Sequence, residues 1–155
     1  SRRPDGVNDP ATFAWFLERP LTGEQLARSI QLVARGSFRN DADLVKQFRQ
    51  QITDVLPDET VVGVSDTLFL SNAGGFDQFL NEAGGDGGLV QRLSEQASHE
   101  IRTRTLFQTV YAREPSSDET AAVVAYLNKR SESLDAALRQ VLWSLLTSAE
   151  FQLNH

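Results

Sequence analysis

A chain of 155 residues, 40% hydrophobic and 23% charged, has the length and composition of one globular domain, which excludes a disordered protein. The net charge of −6 disfavours nucleic-acid binding, and no apolar run approaches the roughly 20 residues that a membrane-spanning helix needs. Cysteine is absent, which excludes disulfides, thiolate metal sites and haem attachment through Cys-x-x-Cys-His within this sequence.

The first third of the chain contains two predicted helices after an expected extended lead-in over residues 1–18. That lead-in has no apolar stretch behind its basic pair, so we expect no signal peptide in this segment. Thr22 and Gln25 have the spacing of a capping box, Leu21 can pack on Leu26, and Gly36 suits a helix end. A second helix is expected to begin near residue 40 or 41 and to end before Pro57.

The middle of the chain has weaker signals and most of the acidity. Residues 57–97 contain seven acidic residues and one basic residue. Such a segment either attracts a cation or a basic partner, or it is a solvated loop region. We expect a short extended piece over residues 61–64, short helices within 66–72 and 76–80, and a glycine-rich, mobile loop over 81–88.

The last third gives the clearest helical pattern. One helix is predicted over residues 98–112, and a break at Pro115 is followed by a capping pair, Ser116 and Glu119. The next helix has Val123, Val124 and Leu127 on its apolar face. A final long helix over 133–147 has an apolar stripe wide enough for the centre of a core. The sequence therefore predicts an all-α, single compact multi-helix domain of about six helices over residues 1–155.

Three partial motifs fall short of a catalytic or binding site. His99 begins a His-Glu-x-x-His pattern, but Thr103 stands where zinc proteases need the second histidine. Ser65 lies in a Gly-x-Ser-x-Thr sequence that lacks the second glycine of a nucleophile elbow, so it is interpreted as a helix cap. Residues 84–88 could expose amides to a phosphate, but Asp86 would repel it and no lysine follows. These patterns favour a non-enzymatic chain without a cofactor.

Oxygen ligands cluster in the sequence around the glycine-rich loop. Asp77, Asn81, Glu82 and Asp86 are groups that calcium prefers, although their order is not that of an EF-hand. The alternative is an ordinary solvated loop.

Three aromatic residues are candidates for an interface. Trp143 lies about 140° around its predicted helix from Leu138, and therefore off the main apolar stripe. It either packs under another helix or contacts a neighbouring domain or subunit. Trp15 and Phe16 raise the same alternative near the N-terminus.

Four segments resemble one protein family. They are Arg-Pro-Leu-Thr-Gly-Glu-Gln-Leu at 19–26, Leu-Phe-Leu-Ser-Asn at 68–72, Leu-Phe at 106–107 followed by Arg-Glu-Pro-Ser-Ser-Asp-Glu at 113–119, and the closing segment 145–155 with its Ser-Ala-Glu-Phe. In this order the segments resemble a planctomycete domain of unknown function, which occurs at the C-terminus of proteins that also contain planctomycete cytochrome-c modules. The glycine-rich stretch after Asn72 departs from that pattern.

The resemblance implies the C-terminal module of a longer, exported, extracytoplasmic protein, and it transfers no catalytic residue to this sequence. We expect a non-catalytic scaffold or interaction domain whose partner is another domain of the parent chain or a second protein. The alternatives are an accessory domain of a carbohydrate-active or cytochrome-c-linked redox assembly, and a small-ligand domain. A deep polar pocket that includes several of Asp66, Asp77, Glu100 and His155 would favour the alternatives. A smooth surface with an apolar patch would favour the scaffold.

Overall fold

The computed structural model describes residues 19–36, 46, 81 and 85–154, which are mostly helical. The helices are α1 (Gly23–Arg35), α2 (Leu89–Ser94), α3 (His99–Tyr111), α4 (Ser117–Asn128), α5 (Leu134–Leu146) and α6 (Ala149–Gln152). A 3-10 turn (Ser131–Ser133) precedes α5, and β1 (Arg19–Pro20) and β2 (Leu153–Asn154) are two-residue strands. The all-α prediction is confirmed.

The predicted starts of α1 and α4 and the predicted end of α1 are present, and each has its own capping group. The Thr22 hydroxyl accepts from the Gln25 amide at 3.2 Å, and the Gln25 side chain accepts from the Thr22 amide at 2.9 Å. Ser116 and Glu119 form the same reciprocal pair at the start of α4. Gly36 ends α1 with a left-handed φ of 73°, which glycine adopts without a Cβ clash.

Helix α5 lies at the centre of the core. It packs against α2, α3, α4 and α6. Its buried residues are Ala137, Leu138, Val141, Leu142 and Leu146, while Leu134 and Leu145 are partly buried. The predicted stripe is therefore the core-facing side of this helix. The predicted bounds, 133–147, agree with the observed ones to within one residue at each end.

Helix α2 is not among the predicted elements, yet its apolar side chains are fully buried. Leu89, Val90 and Leu93 expose at most 1% of their surface. The helix has six residues, and Gly88, the residue before its first turn, offers no side-chain cap. A segment this short shows too few turns for a helical period to be recognised.

The glycine-rich segment is only partly as predicted. Residues 85–88 form a bend and turn, in which Gly88 donates to the Gly85 carbonyl at 2.9 Å and Gly87 has a φ of 73°. Asn81, in contrast, is helical, so the predicted loop began too early.

The two ends of the described chain meet in an antiparallel bridge. Arg19 pairs with Asn154 and Pro20 with Leu153, and the Leu21 amide donates to the Gln152 carbonyl at 2.8 Å. Phe151, on α6, is buried at 8% exposure. The closing segment thus folds back on the core, and the strand pair ties it to the start of α1.

Several predicted elements lie outside the described residues. They are the lead-in over 1–18, most of the second helix, the extended piece at 61–64 and the short helices within 66–72 and 76–80. Lys46, which falls within the second predicted helix, is helical. Within the described ranges no helix has both the length and the apolar character needed to cross a membrane.

Candidate functional site

An apolar groove lies between α4 and α5. The two helices are connected through the 3-10 turn and contact each other, and the groove between them has a volume of about 560 Å³. Its lining residues are Ala122, Val123, Tyr126, Gln140, Val141, Trp143, Ser144 and Leu145. Among the described residues, no charged side chain lines it. The groove exists because the apolar face of α4 is incompletely covered: Leu127 is fully buried, whereas Val123 and Val124 are only partly so.

Trp143 is the exposed aromatic residue of this groove. Trp143 is 37% exposed to solvent, so the helices around it do not cover it fully. The sequence placed it off the core stripe, and that placement agrees with its position on the groove wall. A large aromatic side chain that is partly open to water beside an apolar cleft is typical of contact surfaces.

The groove has a polar group and a cation at one end. The Tyr126 hydroxyl donates to the Gln140 side chain across the two helices. The Arg130 guanidinium lies over the Tyr126 ring, 5.0 Å from its centroid. Arg130 forms no ion pair with any residue that the structure describes, so its charge faces solvent at this end.

A polar cluster lies beyond the other end of the groove and is centred on Arg113. The guanidinium donates to both carboxylate oxygens of Glu119 at 2.8 and 2.9 Å, and to both of Glu150 at 2.6 and 2.8 Å. It also lies 5.3 Å from the ring centroids of both Phe107 and Tyr111. One side chain therefore connects the end of α3 with the first turns of α4 and α6.

The Arg113 cluster has the charge states of a structural network. Hydrogen bonds from Arg113 lower the pKa of Glu119 to about 2, and its Glu119 and Glu150 partners raise the pKa of Arg113. Burial raises the pKa of Tyr111, whose hydroxyl bonds to Ser148 and donates to the Leu145 carbonyl at 3.0 Å. Both carboxylates are engaged by one cation, so neither is positioned as a general acid.

Replacing Arg113 with methionine should reduce the free energy of unfolding by about 1–2 kcal/mol at pH 7. The variant leaves the Glu119 and Glu150 carboxylates without the arginine between them, which destabilises the fold. The effect is moderate because the side chains of Arg113, Glu119 and Glu150 are each at least one third exposed to water. The pKa of Glu119 is lowered in the folded protein. The cluster therefore stabilises the fold fully above pH 4.5, the usual pKa of a glutamate, and this stabilisation is lost as the pH falls toward 2. Urea unfolding followed by circular dichroism at pH 7 and pH 3 measures both effects.

The matched control for this prediction is Arg28→Met, which removes an exposed pair between Arg28 and Glu24. That pair is isolated and the Arg28 side chain is 60% exposed, so its loss should cost only about 0.3–0.5 kcal/mol. An Arg113 variant no less stable than the Arg28 variant would contradict a structural role for the cluster.

The partial motifs of the sequence have structural roles where the structure describes them. The Nδ1 atom of His99 accepts from Arg102 at 3.0 Å, and Thr103 donates its hydroxyl hydrogen to the His99 carbonyl at 2.7 Å. In the glycine turn, the Gly87 amide donates to the Gln91 side chain at 2.6 Å, so the chain itself occupies the position expected for a phosphate oxygen. Both patterns are helix starts in this structure.

Two of the four calcium candidates are described. Asn81 accepts a hydrogen bond from Arg139 at 2.7 Å, which places a cation beside its oxygen, and Asp86 is exposed in the glycine turn. Among the described residues no group of three or more potential metal ligands occurs. Asp77 and Glu82 lie outside the described residues, so the calcium site stays a prediction.

Of the other predicted site residues, some are described by the structure and some lie outside the described residues. Glu100 is exposed in the first turn of α3 and is not among the residues that line the groove. Residues of the sequence-based site hypotheses that lie outside the described residues are Trp15, Phe16, Ser65, Asp66 and His155. The sequence analysis missed the groove, because the groove depends on how α4 and α5 pack.

Three of the segments on which the sequence resemblance rests are described, and they contact one another. Arg19 and Pro20 pair with the closing strand, and Arg113 joins Glu119 to Glu150. These contacts give the three segments an architectural role. In comparisons with known proteins, no family model matches the chain, and no curated protein or solved structure is significantly similar to it.

Proposed function

We propose that this chain is a non-catalytic helical interaction module, and that the groove between α4 and α5 is its contact surface. The single observation that supports this is an open apolar groove with Trp143 partly exposed on its wall. The partner is a protein segment, belonging either to another domain of the same parent chain or to a second protein. An extracytoplasmic location and a planctomycete parent follow from the resemblance alone.

The shape of the groove favours an amphipathic helix as the bound segment. Ala122 and Tyr126 lie one turn apart on α4, and Val141 and Leu145 lie one turn apart on α5. Two parallel apolar ridges with a depression between them are the usual receptor for a helix with apolar residues at i and i+4. A charged ligand would lack a partner along the lining.

A small-ligand function is the second candidate. The volume of about 560 Å³ lies within the range of small-molecule pockets, roughly 300–1,000 Å³. The lining combines two aromatic rings with an amide and a hydroxyl, which is also usual for such sites. The groove is open along its length, however, and this favours the peptide.

Selection of helical peptides against the protein, followed by substitution, tests the proposal. Peptides selected from an amphipathic-helix library are expected to bind with micromolar affinity, and Ala122→Arg should weaken them about tenfold or more by filling the groove. Ala122 is exposed and arginine is a good helix former, so the fold should be unaffected. Fluorescence anisotropy of the labelled peptides measures the affinity.

The control is Leu32→Arg, which places the same charge on a different exposed apolar residue, 44% exposed on α1. Peptide affinity should be unchanged in this variant. If Leu32→Arg abolishes binding and Ala122→Arg does not, the contact surface is elsewhere and the proposal is wrong.

A further inference from the structure

A series of backbone and side-chain contacts leads from the wall of the α4–α5 groove to Arg19. The amide of Thr147, one turn after Trp143 on α5, donates to the Trp143 carbonyl at 3.0 Å. The Gln152 side chain donates to the Thr147 carbonyl at 2.9 Å, and the Gln152 carbonyl accepts from the Leu21 amide at 2.8 Å. These linked contacts span less than about 20 Å. Arg19, two residues before Leu21, therefore lies near the Trp143 wall.

The sequence just before Arg19 is uncharged and apolar. Residues 10–17 contain no charged side chain, and residues 13–17 read Phe-Ala-Trp-Phe-Leu; all of them lie outside the described residues. The described lining of the groove is uncharged as well, so this segment would bury no charge there. From Arg19 back to Pro10 an extended chain can reach about 30 Å. The aromatic segment is therefore long enough to reach the groove.

We propose that residues 10–17 of this chain occupy the α4–α5 groove, and that a partner has to displace them in order to bind. This inference rests on the proposed function and adds its regulation, because the chain's own segment acts as an autoinhibitory occupant. A segment tethered this close acts at an effective concentration on the order of millimolar. Even a weak contact then fills the groove in many molecules, and it lowers the apparent affinity for a partner without excluding it.

Cross-linking of paired cysteines tests the contact, because the chain contains no cysteine of its own. Ala14→Cys lies within the proposed segment and Ala122→Cys lies in the groove, and a short bismaleimide should join them within one chain. Adding Trp15→Ser and Phe16→Ser should lower the yield at least about threefold, because the segment loses two large apolar side chains. Val7→Ser, outside the apolar run, is the matched control and should leave the yield unchanged. Mass spectrometry of the intact chain measures the cross-linked fraction.

The same substitutions should strengthen the binding of a separate peptide. Without cysteines, the chain with Trp15→Ser and Phe16→Ser should bind the selected amphipathic peptides about fivefold more tightly, because the groove is free in a larger fraction of molecules. Val7→Ser should leave their dissociation constants unchanged. Fluorescence anisotropy of the labelled peptides gives the dissociation constants for all three chains.

The outcomes distinguish the two proposals. A cross-linking yield that the Trp15 and Phe16 substitutions do not lower overturns the internal contact, and so does a peptide affinity that they do not change; in both cases peptide binding still supports the docking function. A yield that they lower, with no peptide bound at millimolar concentration, supports the internal contact and overturns the external partner. Cross-links between two chains in place of one would assign the groove to a second copy, and would overturn the intramolecular contact.

Discussion

Replacing Leu142 with alanine is expected to lower the free energy of unfolding by about 3 kcal/mol, within the range of about 2–5 kcal/mol for buried leucines. Leu142 has no exposed surface, and it lies on α5, which packs against four other helices. Neighbours held by several helices cannot all move to close the space that the side chain leaves. The loss therefore includes a cavity as well as the transfer of the side chain. Urea unfolding at pH 7, followed by circular dichroism, measures the change.

The control is Leu32→Ala, which removes the same atoms from a side chain that is 44% exposed. Its effect should be no more than about 1 kcal/mol, because water already contacts much of the side chain. If both variants unfold at the same denaturant concentration, α5 is not the centre of the core. The groove would then lack the rigid wall that the proposed function requires.

The sequence predicted the features that depend on local chemistry. A capping box needs only two residues at the right spacing, so the starts of α1 and α4 were predictable from Thr22 with Gln25 and from Ser116 with Glu119. The long apolar stripe of α5 gave its bounds to within one residue.

The features that the sequence did not predict depend on contacts between distant segments. The bridge between Arg19 and Asn154 joins the two ends of the described chain, and no local pattern indicates such a pairing. The groove forms only because α4 and α5 pack together in a particular way, and the sequence does not show that packing. The sequence showed only that Trp143 lies off the core stripe of its helix. Short α2 was missed because its period is not visible over six residues.

The proposed site lies on a helix that is buried on one side and partly open on the other. Helix α5 buries Leu138 and Leu142 on one side, and its other side, with Trp143 and Ser144, remains partly open. The Arg113 cluster holds the start of α4 to α3 and α6 at one end of the groove. A surface supported in this way is rigid before a partner binds, so less conformational entropy is lost on binding.

Replacing Arg102 with methionine is expected to lower the free energy of unfolding by about 2–4 kcal/mol, because buried carbonyls lose their donors. Arg102 was not identified from the sequence, since a charged residue in a polar helix start is usually solvated. In the structure it is 9% exposed. Its guanidinium donates to the carbonyls of Leu93 at 2.9 Å, Ser94 at 3.1 Å and Gln96 at 2.5 Å. These carbonyls lie at and just after the end of α2, where few backbone donors remain, and the Leu93 carbonyl also accepts from the Gln96 amide at 3.1 Å.

Two variants distinguish capping from packing in this prediction. Arg102→Lys keeps the charge but replaces a planar fork of donors with one ammonium group, so it should recover only part of the loss. Arg104→Met removes an arginine from the exposed side of the same helix, where Arg104 pairs with Glu114 at 3.3 Å, and should cost less than about 1 kcal/mol. If the lysine variant is as stable as the unmodified protein, charge alone holds the end of α2. Equal stability of the two methionine variants would show that water replaces the arginine, and that α2 is held only by its buried leucines.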